Sequence, residues 1–122
     1  QPLENKLKED PMIEQVLVTG ADKKFVGALI VPSFSSLKHW MDIKGIPFTT
    51  PEAAIKNEQV LDKYKRVIDK KNEFFNHVEQ IKKFELLPKE WSIETSEMTP
   101  KMSLKRKVIM EKYKREIEKI YS

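Results

Sequence analysis

The stretch Ile13-Glu14-Gln15-Val16-Leu17-Val18-Thr19 is followed by Gly20-Ala21-Asp22-Lys23 and then by Phe25-Val26-Gly27-Ala28-Leu29-Ile30-Val31. Two segments rich in β-branched residues flank a turn-type break, which predicts an antiparallel hairpin. Apolar residues fall on both faces of both segments, so the sheet is expected to be covered on each side. Gly27 reads as a bulge or a point of close packing within the second strand.

Upstream of the hairpin, Pro2 suits the first position of a short helix on which Leu3 and Leu7 share a face and Glu4 precedes Lys8 by four residues. Asp10-Pro11 stops it. Downstream, Pro32 ends the second strand, and Ser33 or Ser35 caps a helix carrying Phe34, Leu37 and Trp40-Met41 at helical spacing. Gly45 terminates that helix, and Pro51 starts a brief one through Ile55. Asn57 then caps the longest element. Val60-Leu61, Tyr64, Val67-Ile68, Phe74-Phe75 and Val78 recur at a helical period, predicting about five or six turns.

Ile81 to Leu87 reads as a strand alongside the hairpin, Lys89 to Ile93 as an extended or edge segment, and Glu94 to Glu97 as a polar connecting loop. Ser103 is expected to cap a last helix with Val108-Ile109, Tyr113, Ile117 and Ile120-Tyr121 on its buried stripe. Together these elements predict an α+β fold, a small and mainly antiparallel sheet with flanking helices. Val16, Val18, Leu29, Ile30, Val67, Ile68 and Phe84 are the expected shared core.

A chain of 122 residues fits one domain with a core of its own. It contains no cysteine, which excludes thiolate catalysis, zinc-thiolate sites and disulfides. Only His39 and His77 offer imidazole ligands, and they lie far apart in sequence, so no dedicated transition-metal site is expected. The apolar run at Ala28-Leu29-Ile30-Val31 is far shorter than the ~20 residues that cross a bilayer. Gln1-Pro2 follows neither an initiator Met nor a signal-type region, which reads as a piece of a longer protein.

The net charge is +4, but 23 basic residues are interleaved with 19 acidic ones. A nucleic-acid footprint needs clustered cations with exposed aromatics, and here the aromatics sit at core-like spacing. Catalytic constellations are sparse. There is no glycine loop to cradle a phosphate, Ser33, Ser35 and Ser36 beside His39 fit a helix cap better than a triad, and Glu94 and Glu97 lack surroundings that would raise a pKa. One stretch stands apart. Met98-Thr99-Pro100-Lys101-Met102-Ser103-Leu104-Lys105-Arg106-Lys107-Val108 delivers four cations at a helix start, where the helix dipole disfavours positive charge. A lysine there can act as a mobile point charge toward phosphate or carboxylate oxygens. From the residues alone, a solvated basic helix start and a functional loop both remain open, as does a basic interaction module that binds nucleic acid or an acidic partner.

This proline-led stretch resembles the last motif of the adenylate-forming enzymes, the superfamily of acyl-CoA synthetases, luciferases and peptide-synthetase adenylation domains. Pro2 to Leu7 with Ile13 to Val16 resembles the start of that superfamily's small C-terminal domain, and Phe25 to Pro32 resembles its next strand. Glu79 to Phe84 and Leu104-Lys105-Arg106-Lys107-Val108-Ile109, with Tyr113 and Tyr121, are similar to the long-chain fatty acyl-CoA synthetase branch. The resemblance covers essentially the whole chain, residues 1 to 122. It implies a mobile domain lying just past a hinge, with the N-terminal adenylation domain of the same chain as its partner. ATP, Mg2+, coenzyme A and a fatty acid would be used by the full-length enzyme, without nucleic acid. The parent would be cytoplasmic or peripheral to a membrane, and the isolated domain would be inactive and free of bound cofactor.

The usual motif ends in Gly-Lys, and Leu104-Lys105 stands in its place. That alignment implies Lys105 as the adenylation lysine, with Lys107 second and Lys101 third. Counting strictly from Pro100 lands on Arg106 instead, where a rigid guanidinium fork would replace a point charge. No nucleotide-binding residue can be placed by the resemblance.

Overall fold

The computed structural model describes residues 2–122; Gln1, from which the break just past a hinge is read, lies outside them. Helix α1 (Pro2–Leu7) leads into strands β1 (Ile13–Thr19) and β2 (Val26–Pro32), joined by the expected turn. Helices α2 (Phe34–Ile43), α3 (Pro51–Ala54) and α4 (Glu58–Asn72) follow, then β3 (Ile81–Leu86), α5 (Arg106–Lys112) and α6 (Lys114–Ile120). Ser33, Thr50 and Asn57 each accept a backbone N–H at the start of α2, α3 and α4, as N-cap chemistry requires.

The α+β class holds, but the sheet is mixed. Its order is β1-β2-β3; β1 is antiparallel to β2 and β3 is parallel to β2, with Phe84 opposite Ala28. A parallel partner cannot be reached by a tight turn, so the helices between β2 and β3 form the crossover. Apolar alternation is the same for either strand direction, which is why the residue pattern did not reveal it.

Alternation sorts the core onto two faces. Val16, Ala28, Ile30, Ile81 and Leu86 pack with α2 and α4 through Leu37, Met41, Val60, Tyr64, Val67 and Ile68. On the other face, Leu17, Leu29 and Val31 pack with Leu87, Trp91, Met98, Ile109, Ile117 and Ile120. Of the expected core, Val18 and Phe84 are half-buried and the others fully buried. Gly27 is a packing point: a Cβ there would lie 2.7 Å from Ile120 Cγ2.

Three elements end differently from expectation. Helix α4 stops at Asn72 because that side chain serves the next strand: its Oδ1 accepts from Ile81 N–H at 2.9 Å and its Nδ2 donates to Ile81 C=O at 3.0 Å. Phe74 and Val78, counted as helix stripe, are exposed beyond it. The segment at Lys89 to Ile93 joins no sheet. Instead the buried Gln15 side chain imitates a strand, accepting from Trp91 N–H at 2.6 Å and donating to Trp91 C=O at 2.9 Å. The last helix begins at Arg106, not after a Ser103 cap, and breaks in two at Tyr113.

Candidate functional site: a cationic hairpin

Thr99 to Ser103 folds into a small hairpin that carries the cationic stretch. Met102 N–H donates to Thr99 C=O at 2.8 Å, Thr99 N–H donates to Ser103 C=O at 2.8 Å, and Met98 bridges Leu104 in antiparallel fashion. Pro100 presets the first turn position, and Met102 takes φ +66°, the left-handed residue that closes a three-residue hairpin loop. A glycine would suit that position best, whereas Leu104 is in extended pairing. The glycine-type conformation of this loop therefore falls on Met102, with Ser103 after it, and not on Leu104-Lys105.

The root of the hairpin is fixed. Lys105 N–H donates to Glu97 C=O at 2.8 Å, and Lys105 C=O accepts from Ile109 N–H at 3.1 Å. Lys105 thus becomes the N-cap residue of α5, although its side chain makes no capping bond. Both its peptide groups are bonded while its ammonium is free to move.

The structure separates the four cations sharply. Arg106 is tied back to α1, where its Nη1 donates to Glu4 Oε2 at 2.9 Å and its Nη2 to Glu4 Oε1. Glu4 is only 6 % exposed and also accepts Val18 N–H at 2.7 Å. It does not pair with Lys8. Lys101 at the hairpin tip, Lys105 at its root and Lys107 in the first turn of α5 are all exposed, and none forms an ion pair among the described residues. The strict count from Pro100 therefore points to a guanidinium already engaged.

Glu97, read from sequence as part of a polar connection, is 1 % exposed. Burial pushes its carboxyl up, but hydrogen bonds from Lys112, Thr95 and Ser92 outweigh that and hold it below the usual carboxylate range. Lys112 Nζ stands 2.6 Å from Oε2, Ser92 N–H donates to Oε1 at 3.1 Å, and the Thr95 hydroxyl also donates to Oε1. The resemblance signalled neither Glu4 nor Glu97. Their partners lie far away in the chain or in an irregular loop, where no periodicity marks them.

Among the described residues there is no cluster of three or more His, Asp or Glu that could hold a metal ion, and no helix long and apolar enough to cross a membrane. The chemistry available is cationic: a lysine on a fixed root, facing outward.

The sequence pattern of the AMP-binding enzyme C-terminal domain family matches residues 1–122. The chain belongs to that family. This AMP-binding enzyme C-terminal domain is 32 % identical over 99 residues to a long-chain-fatty-acid–CoA ligase, FadD15, of Mycobacterium tuberculosis, and the same figure holds for FadD15 of Mycobacterium bovis. Those matches cover 80 % of this chain and 16 % of the relatives, so the domain spans about a sixth of their length. Its fold is similar to one part of the A domain of carboxylic acid reductase from Segniliparus rugosus, solved in complex with AMP and a co-purified carboxylic acid (TM-score 0.76, 19 % identity). That superposition covers 98 % of this chain and 17 % of the other.

Proposed function

We propose that this domain is the mobile C-terminal part of an AMP-forming fatty acid–CoA ligase, and that Lys105 is its adenylation lysine. The observation that carries the reading is the division of labour on the hairpin: Arg106 is held by Glu4, while Lys105 has a fixed backbone and an unpaired, outward ammonium. The FadD15 relatives, named long-chain-fatty-acid–CoA ligases, support the reaction class.

In the first half-reaction a fatty acid carboxylate attacks the α-phosphate of ATP, giving acyl-adenylate and pyrophosphate. Negative charge on the attacking oxygen and the phosphate must be held as the bond forms. An ammonium brought into a dry site stabilises that charge far more than it would in water. ATP and Mg2+ would be held mainly by the N-terminal adenylation domain, with the metal arriving on the phosphates. In the second half-reaction the coenzyme A thiol attacks the acyl carbon and AMP leaves. Between the two half-reactions the domain rotates, which withdraws the lysine and lets the domain line part of the coenzyme A channel.

The test is Lys105→Ala in the full-length ligase. Pyrophosphate exchange should fall by about two to three orders of magnitude, the effect of deleting one charge-stabilising donor. Thioester formation from preformed acyl-adenylate should be largely kept. Lys107→Ala and Lys101→Ala serve as controls; if either abolishes adenylation while Lys105→Ala does not, the assignment to Lys105 is wrong.

A further inference from the structure

The buried carboxylate of Glu97 is the point at which the hairpin, its preceding loop and helix α5 meet. Its side chain gathers three donors: Ser92 N–H, the Thr95 hydroxyl and the Lys112 ammonium from the last turn of α5. Its own C=O accepts Lys105 N–H. A residue serving only to fill this space would be apolar, as its neighbour Met98 is. Well-packed apolar groups often match or exceed a buried ion pair in stability, so a charge here does something that packing does not. Hydrogen bonds have direction, and three of them on one carboxylate set an orientation.

We infer that Glu97 is a positioning residue: its side chain locks the root of the hairpin to α5 and thereby sets the direction in which the Lys105 side chain leaves the domain. The backbone on either side is unlike regular structure. Ser96 has φ +70° and Met102 φ +66°, so two non-glycine residues are held left-handed around this root. Such conformations persist where the surroundings over-determine them. With Glu97 in place, the Lys105 peptide groups have no freedom left, and reach is provided by the four-carbon stem alone. The inference rests on the reading of Lys105 as the working lysine, but the locking itself is measurable without that reading.

Amide hydrogen exchange on the 122-residue chain tests the lock. Glu97→Gln keeps the shape and the two acceptor bonds on Oε1 but cannot pair with the Lys112 ammonium. The Lys105 amide should then exchange at least about tenfold faster, while sheet amides such as Val16 and Ile30 change little, a local opening and not a global one. Should Glu97→Gln fail to fold, Lys112→Met removes one donor alone and should raise Lys105 exchange in the same direction. Unchanged Lys105 protection, or an equal rise at all amides, overturns the inference. In the full-length ligase, Glu97→Gln should slow pyrophosphate exchange about tenfold or more and have little further effect in a Lys105→Ala background, because residues acting as a unit are non-additive. Equal losses in both backgrounds would mean a structural role only and also overturn it. If Lys105 exchange rises as expected but Lys105→Ala leaves adenylation intact, the lock stands and the assignment of the lysine falls.

Discussion

Glu4, in the first turn of α1, holds Arg106 across 102 positions of sequence, with Arg106 Nη1 2.9 Å from Glu4 Oε2. The same carboxylate takes the Val18 N–H on β1. The segment that enters the domain, the sheet edge and the hairpin are therefore joined at one buried group. The ion pair thus links α1 directly to the first residue of the helix that follows the cationic hairpin.

Removing the guanidinium should be costly because it strands a nearly buried carboxylate. We expect Arg106→Ala to lower the free energy of unfolding by about 1–3 kcal/mol, the cost of leaving a buried acceptor without its partner. Urea denaturation measures it. A loss under about 1 kcal/mol would mean that solvent already screens the pair.

Acid should act through Glu97. Its folded carboxyl sits below the usual range, because the bonds from Lys112, Thr95 and Ser92 outweigh the opposing effect of burial. A depressed pKa contributes stability above the unfolded value of about 4.3, and that stability is lost as pH falls below it. Melting temperature should therefore fall more steeply between pH 5 and 3 in the natural domain than in Glu97→Gln, as read by circular dichroism. Parallel curves would show that the bonds do not favour the ionised form.

Met102 and Gly45 offer a paired test of backbone strain. Met102 holds φ +66° with a 62 % exposed side chain, so Met102→Gly should leave stability unchanged or raise it by up to about 1 kcal/mol. Gly45 holds φ +73° with open space around its Cα, and Gly45→Ala should cost about 1 kcal/mol through conformation alone. A loss above about 1 kcal/mol for Met102→Gly would reveal a packing role for its side chain.

Gly27→Ala should cost more, for a different reason. Its Cβ would meet Ile120 Cγ2 at 2.7 Å, Thr19 Oγ1 at 3.1 Å and Lys83 C=O at 3.3 Å, contacts that force α6 or β3 to move. Overpacking of this kind costs about 1–3 kcal/mol, and thermal unfolding of the variant checks it. An unchanged melting temperature would mean that Ile120 repacks freely.

The hairpin of β1 and β2, the caps at Ser33 and Asn57, and the strand at Ile81 are legible because each rests on local chemistry: a β-branched run, a capping oxygen, a turn. What was hidden depends on partners distant in sequence. Nothing near Asn72 says that its amide will bind Ile81, so the helix pattern overran to Val78. The parallel direction of β3 leaves no mark on its own residues. At the site, the cationic stretch is plain in the sequence, whereas the left-handed Met102, the engagement of Arg106 by Glu4 and the burial of Glu97 arise only from tertiary packing. Glu97 lies among Glu94, Thr95 and Ser96, a run whose polarity reads as solvated although one member points inward.

The crossover from β2 to β3 places α2 and α4 on one side of the sheet and leaves the other to Trp91, α5 and α6. The sheet consequently acts as a partition between two packed layers. Insertions in the loops joining α2, α3 and α4 alter a layer that the hairpin does not touch, whereas a change of one methyl group around Trp91 or Ile109 presses directly on the element that carries Lys105.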